Sequence, residues 1–153
     1  MSGTPLSDAR EDLRREWEGN RRLTLRVAHA FPDEELCRLV PVAPFRPFAA
    51  MVDEIARMES AYGRGLAEDR WRWDPPDPPQ TTDAAGAIAV LERATAYTQQ
   101  AWTALPAEKL PRPRKDPSPR LADLRVENGI PHRGHAYIHL RLLGIEPPAF
   151  WEW

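Results

Sequence analysis

The sequence predicts an all-α fold, a four-helix bundle, and three observations carry that prediction. Seventeen prolines fall mostly in clusters that part the 153-residue chain into four proline-poor segments. Each segment repeats apolar residues at spacings of three and four, the period of a helix with one buried face. No segment alternates apolar and polar residues as a half-buried strand would.

The first segment, about residues 7 to 30, opens with Ser7 and Asp8 as cap and first-turn acid. Leu13, Trp17, Thr24 and Val27 share one face with Asn20. The second, about 47 to 67, sets Phe48, Met51, Ile55, Met58 and Tyr62 on a stripe bordered by Glu54, with Pro47 suited to a first helical turn. The third starts at Thr82-Asp83 and steps by four and three through Ala84, Ile88, Leu91, Thr95, Thr98, Trp102 and Leu105. The fourth starts at Ser118-Pro119 and runs through Leu121, Leu124, Asn128, His132, His135, His139 and Leu142 to Gly144. Connections of about 12 to 15 residues leave both crossovers and hairpins open.

A chain of 153 residues fits a single domain, 1–153, that buries roughly 70% of its unfolded surface. A formal net charge of -2 gives no global footprint for nucleic acid or an anionic membrane, so neither is an expected partner. No apolar run approaches the roughly 20 residues of a membrane span. One cysteine, Cys37, forms no internal disulfide, and no basic and apolar leader precedes the acidic start, so the cytoplasm is the expected compartment.

The fourth segment is anomalous. At about 100° per residue, Asn128, His132, His135 and His139 lie within about 60° of one another, on the face that Leu121, Leu124 and Leu142 define as inward. Buried imidazole or amide groups without partners cost about 1 to 3 kcal/mol each, so a purely structural helix would carry leucine there. One reading has these groups bond to one another, to Glu54, Asn20 or buried water, and set the register of the bundle. The other makes them the wall of a metal or substrate site, completed by a carboxylate from a facing helix. Gly129 and Pro131 add about 1 and 3 kcal/mol of helix cost. They predict either a kink that frees the Glu127 carbonyl or a second helix starting at Pro131.

Asn128, the run His132-Arg133-Gly134-His135, then Leu140-Arg141-Leu142-Leu143-Gly144 and Pro147-Pro148, resemble the fourth helix of the DinB/YfiT-like superfamily. The stretch from Trp17 to Asn20 and Phe45-Arg46-Pro47-Phe48 extend the resemblance over nearly the full chain. It implies a divalent metal, zinc or nickel, which members hold with three histidines, one from helix two and two from helix four. His132 matches the second of the helix-four ligands. Asn128 stands at the first, Glu54 at the helix-two position, and His135 where members carry glutamine. The implied metal set is Glu54 and His132 with either His135 or Asn128.

The implied activity is metal-dependent transfer to or from a low-molecular-weight thiol, or hydrolysis, with the metal lowering the pKa of bound thiol or water. The alternative is a non-catalytic, metal-free, stress-associated or small-molecule-binding bundle. Expected partners are a small molecule or thiol and, as members often form homodimers, a second copy. Trp71, Trp73, Trp151 and Trp153 either cover the bundle ends or pack across such a dimer. His29 ends the first helix, favourable to its dipole, and Arg112 to Lys115 read as a solvated basic loop.

Overall fold

The apolar stripes become helices. A computed structural model describes residues 5–68, 81–106 and 129–151. Among them run α1 (Pro5–His29), α2 (Asp33–Arg38), α3 (Phe48–Glu68), α4 (Ala84–Ala104) and α5 (Gly129–Leu142), and no strand occurs. The four long helices are those the stripes predict.

The short α2 falls in a connection where the sequence predicts no helix. Its six residues are too few to display a stripe, but Asp33, Glu34 and Glu35 crowd its first turn, where the helix dipole favours negative charge. Its Leu36 is fully buried. Tertiary burial therefore stabilises a helix that local propensity alone leaves marginal.

Helix ends follow their capping chemistry. The Asp83 carboxylate accepts from the Gly86 N–H at 2.7 Å and caps α4 where Thr82-Asp83 predicts its start. Gly144, at φ 74°, ends α5. Its N–H donates to Arg141 O at 3.0 Å and the Ile145 N–H to Leu140 O at 2.9 Å, a Schellman pair that satisfies two terminal carbonyls.

The main core joins Leu23 and Val27 of α1, Leu36 of α2, Phe48, Met51, Val52 and Ile55 of α3, Leu91 of α4 and Leu140 of α5. A second cluster gathers Trp17, Ala101, Trp102 and Leu105. Helices α3 and α4 share the most extensive interface, and α5 packs against α1 and α3. The α3–α4 contact is close because α4 turns alanines inward and α3 places Gly63 under Tyr97. A Cβ at Gly63 would stand 2.6 Å from the Tyr97 ring.

The inward face of α5 is rotated from the expected one. Leu142 is 64% exposed, while His132, Arg133, Ala136, His139 and Leu140 are buried. Arg133 is drawn to that inward side by its bonds to Asn20 and Thr24 of α1, and beyond the Schellman turn Leu143 and Ile145 pack against the core. Pro131 is the third residue of the described α5. Ser118, Leu121, Leu124 and Asn128 lie outside the described residues, as do Glu127, the basic loop, Trp71, Trp73 and Trp153. Trp151 is exposed, so of the two readings left open for it covering the bundle end is not met, and it pairs edge-on with exposed Phe150.

Candidate functional site

Two of the four expected ligands meet. Glu54, on the second turn of α3, and His132, near the start of α5, bring Oε1 and Nε2 to 3.4 Å. Arg46, two residues before α3, donates from Nη2 to the other carboxylate oxygen at 2.6 Å. The result is a chain from Arg46 through Glu54 to His132. Burial pulls the Glu54 carboxyl upward, but the Arg46 hydrogen bond and His132 outweigh it and hold the group below its usual range. Burial pushes His132 down, Glu54 pulls it up, and the Arg46 and His135 charges add to the downward side, so the ring is neutral at pH 7. A neutral ring that donates from Nε2 to Glu54 leaves Nδ1 as an acceptor. That atom is buried and has no partner among the described residues.

His135 and His139 belong to a different environment. The His135 ring sits edge-on to Phe45 at 4.9 Å between centroids, and 6.4 Å from His132. His139 is fully buried between Phe31 and Phe45, at 6.4 and 5.9 Å. Neither of its ring nitrogens has a partner among the described residues. Burial and the His135 charge push His139 down, so it too is neutral at pH 7.

One residue after His132, Arg133 turns toward α1. Its Nη1 donates to Thr24 Oγ1 at 3.0 Å and Asn20 O at 3.3 Å, and its Nη2 to Asn20 Oδ1 at 2.6 Å. Asn20 thus serves an arginine rather than the histidines. A pocket of about 360 Å³ opens here, walled by Asn20 and Leu23 of α1, Arg133, Gly134 and Tyr137 of α5, and Phe150. The Tyr137 hydroxyl donates to Pro148 O at 2.7 Å and so fixes the chain that carries Phe150. Deeper on α1, buried Arg21 pairs with buried Glu59 of α3.

Comparison with protein families matches residues 3–152 to the DinB family. The chain belongs to the DinB family. A comparison with curated proteins finds no match.

The metal that the resemblance implies for DinB proteins can be tested against these residues. Oε1 of Glu54 and Nε2 of His132 stand at about the 3.4 Å that two donors of one tetrahedral ion have. Among the described residues no group of three His, Cys, Asp or Glu side chains is gathered to hold a metal ion. Asn128 lies outside them, and His135 is turned onto Phe45. Arg46 already supplies positive charge to the Glu54 carboxylate. The described donor set of this DinB protein therefore does not fit a divalent ion as it stands.

Residue spacing does not mark Arg46, Arg133 or the Arg21–Glu59 pair as parts of a site. Glu59 had a legible signal, since it continues the four-three steps of Phe48, Val52 and Ile55 and is as buried as they are. The arginines had none, because Arg21 and Arg133 find their partners on other helices and Arg46 precedes its helix.

Proposed function

We propose that this DinB protein is a metal-free, non-catalytic bundle that binds a small molecule, with the ion-paired chain Arg46–Glu54–His132 standing where relatives carry a metal. The observation that carries the reading is the 2.6 Å bond from Arg46 to Glu54, a fixed cation on the carboxylate that would otherwise meet the ion. A neutral His132 faces the other oxygen as a hydrogen-bond donor, so Arg46 is the cation on this carboxylate. The pocket at Arg133 supports the small-molecule half of the reading.

The test is metal analysis of the full chain purified without chelator or affinity tag, repeated on His132→Ala. Expected is no stoichiometric metal in the parent and an unchanged helical fold. About one zinc or nickel per chain, lost in His132→Ala, would overturn the proposal. That outcome would favour the second reading, a metal-dependent thiol transferase or hydrolase, which one observation supports: the donor spacing of Glu54 and His132.

A further inference from the structure

We propose that the pocket between α1 and α5 binds a small amphipathic carboxylate, with its charge on Arg133 and its apolar body against Leu23, Tyr137 and Phe150. The inference supplies the ligand that the proposed function leaves unnamed. It rests on the small-molecule half of that reading and is independent of the metal half.

Charge favours an anion here. Arg133 is only 8% exposed, and among the described residues no carboxylate pairs with it. Its neighbour Arg21 is paired with Glu59, so among the described residues these two buried guanidinium groups share one carboxylate. Burial lowers the affinity of both guanidiniums for their protons, and for Arg21 the charge of Arg133 adds to the effect. A buried cation without a countercharge is costly, and among the described residues the shortfall is one elementary charge. A monocarboxylate supplies that one charge, whereas a phosphate monoester at neutral pH brings more than a single guanidinium balances.

Geometry favours a carboxylate. Guanidinium carries five N–H donors. Thr24 Oγ1, Asn20 O and Asn20 Oδ1 take three of them, two on Nη1 and one on Nη2. The N–H of Nε and the second N–H of Nη2 have no acceptor among the described residues, and two donors are what a bidentate carboxylate needs. Asn20 and Thr24 meanwhile hold the guanidinium in place, so little freedom is lost on binding. Tyr137 spends its hydroxyl on Pro148 and offers the pocket its ring. Gly134 presents no side chain at the wall.

The test uses the full chain, calorimetric titration, and three probes: octanoate, phenylacetate and octanol. Two variants accompany the parent. Arg133→Gln removes the charge and keeps amide donors for Asn20 and Thr24. Gly134→Leu puts a side chain at the pocket wall, and since a Cβ at Gly134 meets nothing within 4 Å, it is expected to fill the pocket and keep the fold, which circular dichroism checks. Expected is binding of at least one carboxylate to the parent, weaker by about tenfold or more in Arg133→Gln and lost in Gly134→Leu, with octanol weaker than octanoate. Three results each overturn the proposal: neither carboxylate binding the parent, octanol binding as tightly as octanoate, or Gly134→Leu binding like the parent. Should Arg133→Gln fail to fold, Gly134→Leu and the octanol comparison decide. A parent that holds stoichiometric metal and still binds octanoate through this pocket refutes the metal-free reading and leaves this one standing.

Discussion

Helices α4 and α5 both turn a face into the bundle, and the two faces are built on different terms. On α4 the buried residues are Ala84, Ala87, Leu91, Ala94, Thr98, Ala101 and Trp102. Its one buried hydroxyl, on Thr98, donates to Glu59 O of α3 at 3.1 Å, so no polar group on that side chain is left over. On α5 the buried residues are His132, Arg133, Ala136, His139 and Leu140. Three of these five are polar, and His132 and His139 keep ring nitrogens without partners among the described residues. The α4 face is what close packing on α3 selects. The α5 face forfeits stability, and such forfeits are expected where a residue is retained for binding rather than for folding.

The sharpest way to break the comparison is to cut into α4. Leu91→Ala removes a fully buried side chain and is expected to lower stability by about 2 to 5 kcal/mol, read from the urea midpoint at constant m value. Next in size is Gly63→Ala, which forces the Tyr97 ring or the helix away from a 2.6 Å clash. Overpacking of about 1 to 3 kcal/mol outweighs the gain of roughly 1 kcal/mol in helix propensity, so net destabilisation is expected in the same assay.

On α5 the sign reverses. His139→Leu removes two unpartnered buried nitrogens and is expected to stabilise the protein by about 1 kcal/mol at pH 7. The difference should grow in acid. His132 and His139 are held below their ordinary value in the fold, so the unfolded chain binds more protons as pH falls through about 6.5, and stability is lost there. Glu54, also held low, keeps its contribution until pH falls below the ordinary carboxylate value, so the two windows separate. Thermal midpoints between pH 7.5 and 5.5 should decline in the parent and decline less in His139→Leu. An equal decline would remove His139 from the account.

The smallest effect concerns the Arg46–Glu54 pair. Arg46 is half exposed, so Arg46→Ala is expected to change stability by less than about 1 kcal/mol. Its mark is on titration: with the guanidinium gone, the His132 ring, followed by NMR, should protonate at a higher pH than in the parent. No upward movement would mean that Arg46 does not act on the site.

Much of the fold was written in local pattern. The spacing of Phe48, Met51 and Ile55, or of Ala84, Leu91 and Thr98, names a buried face because a helix has one period. The Asp83 cap and the Gly144 stop are legible because each satisfies its own helix end. Of the candidate site, the pairing of Glu54 with His132 could be anticipated, since both border inward stripes.

By itself, then, the sequence determined that four long helices form, which residues face inward on three of them, and that the inner face of the last is polar. Only the tertiary structure decided what that polarity meets. Adjacent residues on a helix point about 100° apart, so His132 and Arg133 look toward different neighbours, α3 for one and α1 for the other. Which helix stands in each direction, and that Arg46 reaches Glu54, depends on how the chain packs in three dimensions. Local periodicity carries no record of that arrangement.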